Sequence, residues 1–266
     1  MNFLRIGTVQ YLNAQILNYG FFLVNSQRKP SQIIKSLNKY NYSIIQGTPS
    51  FLVEQLLQKK IDIGLISTVE ALRNKDQLNY YPKLGICSFK KVQSILYIKR
   101  SSDFYKPVKK IYLDKSSRSS IALLKILYYK TFQEIPEFTL EEPKEILKKI
   151  DSDSAGLLIG DPALDVYLNP NSFFLKDLCD WWYEITQLPF VFAVWSFPKE
   201  LNFDTNIFEE SYEIGQAHLQ EIIQSSRYLE SFAKSYLTEI IYHRITAKEE
   251  KSIFLFEQFL KEMDWI

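Results

Sequence analysis

The chain alternates short apolar runs of strand character with longer segments whose apolar positions recur at helical spacing. Leu4-Arg5-Ile6-Gly7-Thr8-Val9 reads as a strand ending at Gln10-Tyr11-Leu12-Asn13-Ala14, where polar and aromatic side chains stand at a strand end. Residues 25–42, rich in Asn, Ser, Lys and Gln, read as a surface loop or hairpin excursion. Behind the turn Gly47-Thr48-Pro49-Ser50, Phe51 to Leu57 carries helical periodicity, and Ile61-Asp62-Ile63-Gly64-Leu65-Ile66 is a strand running into Ser67-Thr68-Val69-Glu70. Strand, helix and strand in that order make a βαβ unit.

The scheme then repeats. Leu84 to Ser88 and Val92 to Ile98 suggest a strand pair, the second alternating cleanly. Lys110-Ile111-Tyr112-Leu113 delivers Asp114-Lys115-Ser116-Ser117-Arg118-Ser119-Ser120 to the start of a buried helix that continues from Ile121. A helix spans 143–150, a strand 155–159 ends in Gly160-Asp161-Pro162, an aromatic-rich helix spans 177–186, and 188–195 is a strand. From 207 to 265 the pattern is almost wholly helical. Two α/β lobes around an interlobe cleft are expected, the larger from residues 1–88 and 194–266 and the smaller from 89–193. Val92 to Ile98 and Phe190 to Trp195 have the character of strands that cross between them.

A length of 266 residues is enough for two modest cores without disulfides or metals. The balance of 32 Lys and Arg against 31 Asp and Glu leaves no global field to hold a phosphate backbone, so nucleic acid is not an expected partner. No apolar run approaches the roughly 20 residues that span a bilayer, and no membrane partner is expected. Met1 to Gly7 enters a strand directly, without a basic leader or cleavage site, which predicts a cytoplasmic protein. Cys87 and Cys179 lack redox or zinc spacing and are expected to be buried, inert thiols. Trp181, Trp182 and the 190–195 aromatics are expected to be packing residues rather than a stacking platform.

With only His218 and His243, both in the helical C-terminal stretch, neither a metal cluster nor a His-based nucleophile system has local partners. No glycine-rich nucleotide loop is present, and no metal or cofactor is expected. What remains is a set of amides, hydroxyls and charges at predicted strand ends: Asn13, Ser67, Glu70, Ser94, Ser117, Arg118, Ser119, Asp161 and Thr186. Ligands of open α/β sheets bind at such ends, and a helix N-terminus after a strand favours an anion, so this set suits a small polyoxygenated acid. Helix capping is the competing explanation for Ser50, Ser117 and Asp161.

Five blocks in order resemble the chorismate dehydratase family: Arg5-Ile6-Gly7 with Tyr11-Leu12-Asn13-Ala14, Asp62 to Ser67 with Glu70, Ser116 to Ser120, Ile159 to Leu164, and Leu188 to Trp195. They extend from residue 5 to 195. The resemblance implies the type II periplasmic-binding-protein-like fold and, in the futalosine route to menaquinone, conversion of chorismate to 3-[(1-carboxyvinyl)oxy]benzoate by loss of water. It places Asn13 on the family's active-site asparagine. Ser117 to Ser120 and Gly160-Asp161 fall on its ligand-contacting loops, and Tyr11, Ser67, Glu70, Ser94, Arg118 and Thr186 complete the expected substrate contacts. Two departures stand out: Gln15-Ile16-Leu17 where the family has Arg-Pro-Leu, and Thr186-Gln187-Leu188-Pro189 where it has Thr-Gly-Leu-Pro. A dihydroxynaphthoate-synthase-like enzyme of the same pathway and a non-catalytic solute-binding or sensor protein are the alternatives.

Overall fold

The computed structural model describes residues 2–26, 35–100, 103–115 and 118–264. In chain order the first elements are β1 (Asn2–Thr8), α1 (Gln15–Asn25), β2 (Tyr40–Gln46), α2 (Pro49–Leu57), β3 (Ile63–Ser67), α3 (Thr68–Arg73) and β4 (Leu78–Ser88). Next come β5 (Ile95–Lys99), β6 (Lys110–Asp114), α4 (Arg118–Phe132), β7 (Glu137–Glu141), α5 (Pro143–Lys149), β8 (Ser154–Ile159), α6 (Gly160–Leu168), β9 (Phe174–Asp177) and α7 (Leu178–Thr186). The chain ends with β10 (Phe190–Pro198), α8 (Asn206–Ala217), α9 (Leu219–Gln224), α10 (Glu230–Ser235), a π-helical turn (Tyr236–Ile240), β11 (Ile241–Arg244) and α11 (Ala247–Glu262).

The chain divides into two compact units. One comprises the chain up to Cys87 together with Phe192–Thr246, and the other comprises Ser88–Val191 together with the chain from Ala247. The first unit holds a six-stranded sheet in the order β11-β4-β10-β3-β1-β2. There β1 lies parallel to both β2 and β3, while β10 returns antiparallel to β3. The second unit holds a five-stranded sheet in the order β7-β6-β8-β5-β9, with β6 parallel to β7 and β8, and β5 antiparallel to β8 and β9. The mixed α/β class follows from the alternation of strand and helix periodicity. Because parallel strands need crossovers, helices cover the sheets and the central strands read as continuous apolar runs.

Each unit has its own aromatic core. In the first, Trp195 is stacked on Phe208 with ring centroids 5.3 Å apart and meets the edge of Phe21 at 5.5 Å. In the second, Trp181 lies against Tyr97 at 5.6 Å and Phe104 at 4.9 Å. Trp181, Trp182 and Trp195 are all buried, as expected of packing residues. Both cysteines are free and buried, and burial pushes the Cys179 thiol up.

The last helix, expected with residues 194–266 of the larger lobe, packs in the second unit. Phe256 meets Trp182 at 6.1 Å and Phe190 at 5.0 Å, and the Trp182 indole N–H donates to Ser252 Oγ at 3.2 Å. The stretch from 207 to 265 is also not wholly helical: β11 forms the edge of the first sheet, and the Ile245 N–H donates to the Lys83 carbonyl at 2.9 Å. The polar excursion is shorter than read, since α1 runs to Asn25 and β2 starts at Tyr40. Residues 27–34 of it lie outside the described residues. Among the described residues no helix is long and apolar enough to cross a membrane.

Candidate active site

In the first unit the parallel strands β2, β1 and β3 end on one edge. The Thr8 carbonyl accepts from the Gly47 N–H at 3.1 Å, and Gln10 reaches Gln46 at 3.3 Å, tying the β1 and β2 exits together. A tight turn, Leu12–Ala14, follows β1, closed by the Ala14 N–H donating to the Tyr11 carbonyl at 3.0 Å. Leu12 and Ala14 are buried, so the turn is anchored by apolar contacts on both sides of the half-buried Asn13. Asn13 Nδ2 donates to the Tyr236 hydroxyl at 3.4 Å, and the Asn13 carbonyl oxygen lies 2.9 Å from His243 Nε2. A carbonyl can only accept, so the neutral imidazole carries its proton on Nε2. Burial pushes His243 down to about 4, against the upward pull of this hydrogen bond. Asn13 Oδ1 is buried with no hydrogen-bond partner among the described residues.

Ser67 ends β3 at the same edge. It occupies the residue before α3 with extended backbone, yet its hydroxyl makes no capping bond, and Oγ is buried without a partner among the described residues. Capping therefore does not explain this serine. Glu70, one turn into α3, is buried and its carboxylate pairs with Arg73 at 3.0 Å. The sequence set thus brings Tyr11, Asn13, Ser67 and Glu70 onto adjoining strand exits of one sheet, and two of them retain buried, unpartnered polar atoms.

The second unit has a corresponding edge. β6, β7 and β8 end there, and β5 begins there because Ile95 pairs with Ile159. The Gly160 N–H donates to the Ser94 carbonyl at 2.7 Å, which brings these two predicted residues together. Gly160 has φ 61°, a left-handed conformation that glycine adopts without strain, so the β8–α6 junction favours it. Asp161 follows in the first turn of α6, which has no side-chain cap. Ser119 and Ser120 are buried in the first turn of α4, whereas Arg118 is exposed. Ser117 lies outside the described residues.

Ser94 is placed by an acid. Asp177 Oδ2 accepts from the Val92 N–H at 2.8 Å and the Gln93 N–H at 2.6 Å, while its Oδ1 caps α7 through Cys179 N–H at 2.8 Å. Gln93 is held at φ 61° by this clamp. Burial pushes the Asp177 carboxyl up to about 6 against the opposing pull of its backbone donors. Thr186 is at the far end of α7, its hydroxyl donating to the Trp182 carbonyl at 2.8 Å and accepting from the Leu188 N–H at 3.2 Å. That hydroxyl closes a helix. Gln187, standing where the family has glycine, adopts φ 59°.

Two side chains that reach Asn13, Tyr236 and His243, were not singled out from the sequence as site residues. They lie more than two hundred positions away in a stretch read as helical, and only the π-turn and β11 bring them to the β1 exit. No local spacing carries that signal. Among the described residues no group of His, Cys, Asp and Glu could hold a metal ion.

Comparison with known proteins agrees with this architecture. A protein from Archaeoglobus fulgidus superposes with a TM-score of 0.78 at 14% identity, covering 99% of this chain and 98% of that one. The periplasmic aliphatic sulphonate binding protein of Escherichia coli superposes with a TM-score of 0.63 at 14% identity, covering 100% of this chain and 89% of that one. The fold is therefore that of the periplasmic binding proteins. At the sequence level, the chorismate dehydratase of Campylobacter jejuni (strain 81-176) is 30% identical over 230 residues, 85% of this chain and 87% of that protein. The chorismate dehydratase of Thermus thermophilus is 26% identical over 174 residues, 60% of this chain and 62% of that protein. With the menaquinone biosynthesis family model matching residues 4–262, essentially the whole of both units, the chain belongs to that family.

Proposed function

We propose that the chain is a chorismate dehydratase, a hydro-lyase that removes water from chorismate to give 3-[(1-carboxyvinyl)oxy]benzoate, acting in the cytoplasm in the futalosine route to menaquinone. The observation that carries this activity is the likeness to the Campylobacter chorismate dehydratase along 85% of the chain. The buried Asn13 Oδ1 and Ser67 Oγ on adjoining strand exits, without a hydrogen-bond partner among the described residues, support Asn13 and Ser67 as substrate contacts.

The chemistry asks little of an acid or a base. When the C4 hydroxyl and the C3 hydrogen leave, the ring becomes aromatic, so the reaction is downhill once the substrate is held in the right geometry. A substrate carboxylate takes the C3 proton and passes it to the C4 hydroxyl, which leaves as water while the C3–H electron pair forms the new ring double bond. The protein's task is orientation and charge control. Asn13 orients the reacting hydroxyl, and Ser67 adds a second polar contact. Tyr11 and Glu70 border them. In the second unit, Ser119 and Ser120 in the first turn of α4, together with Ser117 of the same sequence block, are proposed to hold a carboxylate through N–H and O–H donors, the helix N-terminus favouring the negative charge. Ser94, Gly160, Asp161 and the exposed Arg118 border that set. Thr186 remains a proposed contact of lesser weight, because its hydroxyl already serves α7. No metal or organic cofactor takes part in this scheme.

The direct test is incubation of the purified protein with chorismate, following its loss and the appearance of the aromatic enol ether by mass spectrometry. Stoichiometric formation of that ether is expected. Binding of chorismate without conversion would overturn the proposal in favour of a ligand sensor. Inertness toward chorismate, with conversion of a cyclic futalosine derivative, would point instead to the dihydroxynaphthoate-synthase reaction.

A further inference from the structure

We infer that Tyr236 and His243 are positioning residues for Asn13, together fixing its amide so that Oδ1 is presented to the substrate as a hydrogen-bond acceptor. This deepens the proposed function and rests on Asn13 being a substrate contact. Two independent bonds hold Asn13, and both come from the same stretch of chain. His243 Nε2 donates to its main-chain carbonyl at 2.9 Å, fixing the turn after β1. The Tyr236 hydroxyl accepts from its Nδ2 at 3.4 Å, a long contact that keeps the amide nitrogen on the Tyr236 side. An amide offers two donors on nitrogen and two lone pairs on oxygen. With the nitrogen turned to Tyr236, the oxygen is the atom without a partner.

The supporting residues are themselves rigid. Tyr236 and His243 are 1% and 2% exposed. Tyr236 is stacked on Phe232 with rings inclined by 14°, and His243 packs against Tyr212 at 5.9 Å. Between them runs the π-turn, closed by the Ile241 N–H donating to the Tyr236 carbonyl. π-helical turns are rare and occur often at functional sites, where the extra residue re-aims a side chain. Here the turn lets Tyr236 and His243, seven positions apart, both face the β1 exit.

The assignment has a chemical consequence. An acceptor at Oδ1 takes the hydrogen bond of a substrate hydroxyl and so rotates that hydroxyl, leaving its oxygen lone pairs free to receive the C3 proton relayed by the substrate carboxylate, with which it departs as water. A donor there would instead occupy a lone pair. A group held in the geometry of the reaction lowers the barrier without tightening ground-state binding, so loss of positioning appears mainly in kcat.

The test is a double-mutant cycle on chorismate turnover with thermal melts on every variant. Tyr236→Phe removes one oxygen and is expected to lower kcat about five- to tenfold, the worth of a single neutral hydrogen bond, with KM within about twofold. In an Asn13→Ala background the same substitution should change kcat less than about twofold, because its target is gone. His243→Leu should lose kcat similarly, and His243→Gln, which restores a donor at the same reach, should recover most of it. If Tyr236→Phe does not fold, the His243 pair run in both backgrounds carries the same cycle. Equal losses in both backgrounds, or undiminished kcat in Tyr236→Phe and His243→Leu, overturn the positioning role while leaving the proposed function standing. Wild-type turnover in Asn13→Ala alone overturns the site assignment itself, and this inference with it.

Discussion

A buried polar atom left without a hydrogen bond costs a fold about 1–3 kcal/mol, and Ser67 keeps such a hydroxyl at the end of β3. If the hydroxyl served stability alone, its removal would be damaging. Since it makes no bond among the described residues, Ser67→Ala should leave the melting temperature unchanged or raise it while lowering chorismate turnover. A fall in both would mean the serine is structural. Asn13→Ala should behave similarly for a different reason. The His243 bond goes to its main-chain carbonyl, which alanine retains, so the turn survives while the oriented amide is lost. Loss of one such contact at a transition state is worth about 2–4 kcal/mol, a thirty- to thousandfold fall in kcat/KM, and steady-state kinetics beside thermal melts read both quantities. Gln187 illustrates the opposite balance. At φ 59° it holds a conformation that suits glycine, and its Nε2 compensates by donating to the Tyr183 carbonyl at 3.0 Å. Gln187→Ala keeps the strain and loses the compensation, so Gln187→Gly should be the more stable of the two by about 1 kcal/mol in urea unfolding. Equal stabilities would show that the backbone there is unstrained.

The elements behind the first-unit edge are held in register by close helix packing. Gly20 on α1 and Gly215 on α8 let the two helices approach until a Cβ on Gly215 would stand 2.0 Å from the Ile16 carbonyl oxygen. The Ser211 hydroxyl donates to the Leu17 carbonyl at 2.7 Å in the same contact. Gly215→Ala must therefore push α1 away from α8, and α1 begins two residues after Asn13. A loss of about 1–3 kcal/mol is expected from the overpacking, with a fall in turnover alongside it. Unchanged stability and turnover would mean that the helices part without disturbing the edge. This packing also shows what sequence pattern can and cannot convey. The strands β3 and β8 are legible because they are buried on both faces, and β6 because its buried positions alternate; all three end abruptly, in Ser67, Gly160-Asp161 and Asp114. Outer strands β2, β7 and β9 went unassigned: their burial is mixed, and Tyr40–Gln46 continues a polar stretch. Helix α1 was missed as well. β11 was hidden because four residues between a π-turn and a helix leave no room for alternation to register. The Asn13 and Ser67 positions were found from strand ends and family blocks. Their supports, Tyr236 and His243, depend on contacts across the whole chain.

Seen across the whole molecule, the two units carry buried ionisable groups that answer acid in opposite directions. In the second, Asp177 is raised from 3.8 to about 6, so between those values the folded state holds a proton that the unfolded chain has released. Its contribution is greatest in acid and is lost as the pH rises through about 6. In the first unit His243 is lowered from 6.5 to about 4. Between pH 6.5 and about 4 the unfolded chain takes up a proton that the folded imidazole refuses. Stability that is fully present above pH 6.5 is therefore lost progressively as the pH falls toward 4, by about 3 kcal/mol in all. The paired carboxylates of the same unit, Asp62 and Asp204, are lowered by their partners Arg5 and Lys39, Asp204 to about 2, and weaken the fold only at lower pH. The interval from 6.5 to 4 thus belongs chiefly to His243 within this unit. His243→Gln keeps a donor for the Asn13 carbonyl but cannot titrate, so the difference in unfolding free energy between wild type and this variant should shift by about 3 kcal/mol across that interval and be flat above pH 7. Urea unfolding at half-unit pH steps measures it directly. A difference that does not vary with pH would mean that the imidazole titrates in the fold as it does in the unfolded chain, that Nε2 is not held neutral against the Asn13 carbonyl below pH 6.5, and that the buried support of the β1 exit is differently built.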